Sequence, residues 1–313
     1  MITFFAVPKP FRGHIGTIQR NAIGSWTRLS PSCQIILFGD EEGTAEVAQE
    51  LGVQHVPEVV RNEYCTPVLD DVFGKAQRMA SHNIVCYVNC DIILLDDFMT
   101  AVEKVSRRKR RFLMVGQCWD VDVSAPLDFG RRNWTQSLAD RAQQEGDLRG
   151  PAYIDYFVFP RGFYGHLLPF ALGRAGFDNW LVWKAGAQRA AVVDASRVVT
   201  AIHQHHDYSH VPGGRDWSYK GEEAKRNEEL AGGKKHYHRL YDATYRLTQK
   251  GLRVHATGYF GIAYRWQKMK AQHRPRVMGV FWRVVEFTRP VRHSVGLNMP
   301  NLRRVTALLY RQD

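Results

Sequence analysis

"YVNCDIILLDDF", residues 87–98, joins two apolar runs through a polar triplet. Tyr87 and Val88 extend the run that begins at Ile84, and Ile92 to Leu95 form the second. Between them stand Asn89, Cys90 and Asp91, so a buried strand changes character part-way along. An unpaired buried carboxylate costs several kcal/mol, and Asp91 therefore needs a partner.

Upstream, strand-like and helical patterns alternate. ITFFAV (2–7) reads as a strand, and Ile15, Ile18, Ala22, Ile23 and Trp26 then follow helical spacing. CQIILFGD (33–40) reads as a second strand, TAEVAQEL (44–51) as a helix stopped by Gly52, and VQHV (53–56) as a third strand. Val68 to Ala80 reads as a helix leading into a fourth strand, IVCYVN (84–89). Strands apolar on both faces, separated by helices, predict an α/β fold: a mostly parallel, Rossmann-like sheet covered by helices on both faces.

Ligands of such sheets bind beyond the carboxyl ends of the strands. Three of these ends carry chemistry: Pro8-Lys9-Pro10, Asp40-Glu41-Glu42-Gly43 and Asn89-Cys90-Asp91. No G-x-G-x-x-G follows the first strand and no G-x-x-x-x-G-K-[ST] occurs, so a phosphate ligand lacks a glycine cradle. A diphosphate without such a cradle calls for a divalent cation, and Asp91 is placed to ligate one.

An N-terminal strand, FGD at 38–40 and a strand ending in YVNCDIIL together resemble the GT-A fold nucleotide-sugar glycosyltransferases of bacterial type, over residues 1 to about 210. The D-x-D motif of that family appears here as N-C-D, with Asn89 at its first position. The resemblance implies Mn2+ or Mg2+ held by Asp91 on the diphosphate of a donor, with UDP as the expected nucleotide. It places Pro8, Lys9, Asp40, Asn89, Cys90 and Asp91 around the donor, with Lys75 reaching the phosphates from its helix. It also implies a carboxylate at a later helix start. In GRAGFDNW (173–180), Asp178 is then a helix cap, the general base for an acceptor hydroxyl, or both, and Trp180 offers a flat face to a sugar. Asp155 is a rival carboxylate.

Four of the thirteen histidines fall within residues 203–210. The resemblance implies that one of them completes the metal shell, with His203 and His206 as the candidates; spacing does not choose between them. A solvated polar loop and a separate zinc site are the other readings of this stretch.

The 313 residues carry a formal charge of +12, but Tyr264 to Asp313 alone hold a net +9. The expected organisation is a catalytic domain at 1–263, with a nucleotide-binding half at 1–100 and an acceptor and metal half at 101–263, followed by a basic amphipathic tail at 264–313. That tail either lies on an anionic membrane surface, packs on the body, or joins two copies in a homodimer. The five cysteines form no C-x-x-C pair and read as reduced thiols. With no apolar run long enough for a membrane span and no leader-like opening, a cytoplasmic protein is expected, peripheral on the inner membrane face if the tail binds lipid. The expected activity moves a sugar from a nucleoside diphosphate donor to a hydroxyl of a glycan or lipid-linked glycan, as in cell-surface polysaccharide synthesis. A nucleotidyltransferase needs a glycine-rich basic loop after the first strand, where this chain has PKPFRGH (8–14). A nucleic-acid-binding module needs basic residues spread over a folded face with aromatics between them, and here they collect in the tail, so no nucleic-acid partner is expected.

Overall fold

The computed structural model describes residues 1–206 and 214–255. The tail expected at 264–313, with its membrane and dimer readings, lies outside the described residues, as does His210.

The chain runs β1 (Thr3–Ala6), α1 (Gly13–Trp26), β2 (Gln34–Phe38), α2 (Thr44–Leu51), β3 (Gln54–Val56), α3 (Leu69–Met79) and β4 (Ile84–Val88). Then come β5 (Ile92–Leu94), α4 (Asp97–Ser106), β6 (Phe112–Val115), β7 (Cys118–Val121), α5 (Trp134–Glu145), β8 (Asp147–Leu148) and β9 (Tyr156–Pro160). The described part closes with α6 (Phe177–Ala187), β10 (Ala191–Asp194), β11 (Ala201–Gln204), α7 (Gly214–Lys220), α8 (Glu222–Leu230), β12 (Tyr245–Thr248) and β13 (Gly251–Val254). Gly52 ends α2 in the left-handed region, at φ 65°.

Nine strands form one sheet in the order β13-β12-β10-β6-β9-β4-β1-β2-β3. β3, β2, β1 and β4 run parallel, as do β6, β10 and β12. β9 lies antiparallel between β4 and β6, and β13 pairs antiparallel at the edge. Strand alternation sends Phe4, Leu37, Val88 and Tyr156 to one face, against α1 and α4. Phe5, Ile36, Phe38, Tyr87 and Phe157 go to the other, against α3 and α6. Both faces are therefore apolar, which is why the strands read as near-continuous hydrophobic runs.

A second sheet, β5-β11-β7-β8, holds its own small core of Ile93, Val121, Leu138 and Ile202 against α5. This sheet explains the polar triplet. The stretch 87–98 is not one strand: β4 ends in the large sheet and β5 begins in the small one. The Asn89 N–H still donates to Asp155 O at 3.0 Å, continuing the β4–β9 pairing. Asp91 O already accepts from Gln204 N at 3.2 Å, continuing the β5–β11 pairing. The chain thus changes sheets across three residues, and Asp91 sits where the two sheets diverge.

Candidate active site

A cleft of about 550 Å³ opens at this divergence. Pro8, Lys9, Asn89, Cys90, Asp91, Asp178, His203 and His206 all line it. β11 lies antiparallel to β5 with His203 opposite Ile92, and parallel to β7 with His203 opposite Asp120, so strand register delivers the imidazole to the residue after Asp91. His206 Nε2 lies 3.1 Å from Asp91 Oδ2, and Lys9 Nζ lies 3.2 Å from the same oxygen. Burial pushes the Asp91 carboxyl up, but the Lys9 charge and the His206 hydrogen bond outweigh it and hold the group well below its ordinary range. It is an ionised carboxylate at 6% exposure.

Asp91 Oδ1 is buried and has no hydrogen-bond partner among the described residues. Ligand atoms of Asp91, His203 and His206 all lie within 4.8 Å of one another. An orphaned carboxylate oxygen beside two imidazoles is a donor set that fits Mn2+ or Mg2+, the imidazoles favouring the softer Mn2+. His203 Nδ1 faces Asp120 Oδ1 at 2.6 Å, and a proton on that nitrogen leaves Nε2 as the lone pair for a cation. Burial raises the Asp120 carboxyl, but contact with His203 and the charge of Arg149 bring it below its ordinary value.

Asp178 is a different kind of carboxylate. It lies in the first turn of α6, where Gly176 at φ 107° forms the N-cap and donates its N–H to Asp178 Oδ1 at 3.3 Å. A Cβ at Gly176 would meet the Tyr237 hydroxyl, which fixes the close approach of the two cleft walls. Among the described residues no basic side chain pairs with Asp178, and desolvation pushes its carboxyl up to about 6. Asp155, the rival, is spoken for: Arg149 Nη1 donates to Oδ2 at 3.1 Å and Asn89 Nδ2 to Oδ1 at 3.0 Å. The Asn89 amide therefore secures a neighbouring carboxylate instead of facing a cation. Cys90 is 5% exposed, and burial pushes its thiol well above the ordinary value, so it shapes the cleft without reacting.

Three sequence-based assignments are corrected. Trp180 is 3% exposed and packs on Phe170, with ring centroids 4.9 Å apart, so it belongs to the core and offers no face to a sugar. Asp178 and Trp180 are two residues apart, about 200° around a helix, and cannot both face the cleft. Lys75 does not line the cleft: its Nζ pairs with Asp71 at 2.9 Å and donates to Glu58 O at 2.8 Å. Asp40 turns outward after Gly39 and pairs with Arg61 at 2.5 Å, while its neighbour Glu41 lines the cleft. Asp120, Arg149 and Arg61 have no place in the sequence reading, and Glu41 enters it only within the strand-end run 40–43, without a site role. Only register and loop packing bring them to the site, and none belongs to a local motif.

No known family model and no curated protein matches the sequence. Several solved structures are similar in part. The glucosyl-3-phosphoglycerate synthase of Mycobacterium tuberculosis, in complex with Mg2+ and UDP, is 16% identical over 66% of this chain and 72% of its own, with a TM-score of 0.41. The mannosyltransferase PcManGT of Pyrobaculum calidifontis, with GDP-Man and Mn2+, is 14% identical over 64% and 56%, with a TM-score of 0.40. The 1–349 fragment of S. aureus TarS, with UDP-GlcNAc, is 11% identical over 41% of this chain, with a TM-score of 0.31; this chain spans only 37% of that fragment. Each superposition is partial.

Proposed function

We propose that the protein is a GT-A-type glycosyltransferase that moves a sugar from a nucleoside diphosphate donor, with UDP as the expected nucleotide, to a hydroxyl acceptor. One observation carries this reading: Asp91 with its orphaned oxygen and two imidazoles shares a single cleft with Asp178, whose carboxyl is pushed up to about 6. Asp91, His203 and His206 would hold Mn2+ or Mg2+, which when bound supplies positive charge for the departing diphosphate. Asp178 takes the acceptor proton as the acceptor oxygen forms its bond to the anomeric carbon and the bond to the diphosphate breaks. A carboxylate with a pKa near 6 is ionised at neutral pH yet basic enough for that step. Such a direct displacement inverts the anomeric centre.

The acceptor is a glycan or lipid-linked glycan, as in cell-surface polysaccharide synthesis. Tyr64 and Tyr219, 45% and 38% exposed, line the same cleft, and aromatic side chains there support a sugar-bearing acceptor. No helix among the described residues is long and apolar enough to cross a membrane. Peripheral attachment at the inner membrane face through 264–313 is part of the same proposal.

A thermal-shift screen of UDP-sugars, GDP-sugars and other nucleotide sugars, with and without Mn2+, tests this reading. One nucleotide sugar should raise the melting temperature more with Mn2+ than without it. A chain stabilised by no nucleotide sugar under either condition does not do this chemistry.

A further inference from the structure

Lys9 is placed with unusual care for a surface-loop lysine. It lies between Pro8 and Pro10, so its φ and ψ are restricted by the following ring and the chain around it is stiff. Its backbone is clamped from both sides by one buried side chain: Lys9 N donates to Gln19 Oε1 at 2.6 Å, and Gln19 Nε2 donates to Lys9 O at 2.8 Å. The ammonium then reaches Asp91 Oδ2 at 3.2 Å and His206 Nε2 at 3.4 Å. Those are two of the three side chains of the candidate cation site.

The hydrogens restrict what His206 can do. If Nε2 carries a proton it donates to Asp91, and the nitrogen has no lone pair for a cation. If Nε2 is bare, Lys9 donates to both Asp91 Oδ2 and His206 Nε2, taking a lone pair on each and leaving a divalent ion only Asp91 Oδ1 on that carboxylate. In either tautomer the site already holds a positive hydrogen-bond donor against Asp91, and a second cation must displace it.

Resting on the nucleotide-sugar reading, we propose that Lys9 is a resident counter-ion that keeps divalent cations out of the Asp91 site until a diphosphate draws its ammonium away. A diphosphate offers Lys9 a stronger anionic partner, so cation and donor would enter together, and the empty protein would bind metal weakly. Metal selectivity would then depend on the donor as well as on the three ligands.

The test is Mn2+ binding to the full chain, read from the signal of free Mn2+ by electron paramagnetic resonance. Without nucleotide, Lys9→Met should bind Mn2+ about tenfold more tightly than the wild type or better, and Lys9→Arg should stay as weak as the wild type. UDP, after correction for its own complex with Mn2+, should raise the wild-type affinity and narrow the gap to Lys9→Met. Equal Mn2+ affinity of wild type and Lys9→Met without nucleotide overturns the proposal, as does weaker binding by Lys9→Met. A wild-type Mn2+ affinity that UDP leaves unchanged although UDP itself binds also overturns it. If Lys9→Met fails to fold, Lys9→Gln serves in the same comparison. The first arm uses the metal alone, so a chain that excludes Mn2+ through Lys9 but binds no nucleotide sugar would refute the proposed function and leave the exclusion standing.

Discussion

Asp178 and Asp91 are both carboxylates on one cleft, and their surroundings push them in opposite directions. Desolvation without a basic partner raises Asp178 to about 6, whereas Lys9 and His206 hold Asp91 low. The raised group favours the folded state at low pH, and that contribution is lost as pH rises through about 6. Asp178→Asn should therefore be more stable than the wild type at pH 8 by about 1–3 kcal/mol, with the difference fading as pH falls towards 4, as denaturant melts across pH would show. In the same variant donor binding should persist while transfer falls by roughly 100-fold or more, measured as product formed from saturating donor. Asp91→Asn leaves Lys9 beside a neutral amide and should lower unfolding stability by about 1–3 kcal/mol while abolishing Mn2+-dependent stabilisation by UDP. Asp91, His203 and His206 were legible because polar residues at the ends of apolar runs stand out in a sequence. Asp120 and Arg149 were not, since each acquires its meaning only from the partner that strand register sets opposite it.

The change of sheet between β4 and β5 puts Asp91 in place, and a buried amide locks it there. Gln204, fully buried, donates to Ile18 O at 2.7 Å and Asp91 O at 3.1 Å, and accepts from Asn21 Nδ2 at 3.0 Å. It thereby ties α1 to the junction of β5 and β11. Gln204→Leu keeps the bulk but strips partners from buried groups, so it should cost about 2–4 kcal/mol in chemical denaturation and weaken Mn2+ binding with UDP present. The early elements were readable from periodicity: α1 to α3 and β1 to β4 fall within a few residues of the spacing argument. The failures came from faces. α6 is apolar nearly all round, with Trp180, Leu181 and Val182 buried in succession, so its pattern gave no hint of which side meets the cleft. In α3, Lys75 is held by Asp71 four residues earlier, an ordinary helix pair that needs no ligand.

For the whole molecule, alternating apolar strands and helices predicted a mostly parallel sheet with two covered faces, and the nine-stranded sheet has that form. The antiparallel insertion of β9 and the separate four-stranded sheet were beyond the pattern, because YFVFP is as apolar as its parallel neighbours and direction leaves no mark on composition. Yet the cleft exists only because the two sheets part at Asp91. β9 brings Asp155 to Asn89, and β7 and β11 bring Asp120 to His203. The most direct measurement of this arrangement is anomalous diffraction at the manganese edge from crystals grown with UDP and Mn2+. The expected result is a single strong peak among Asp91, His203 and His206, with the diphosphate against it. A nucleotide bound in the cleft with its manganese held by other residues, or with no peak near Asp91, would contradict the assignment of this site.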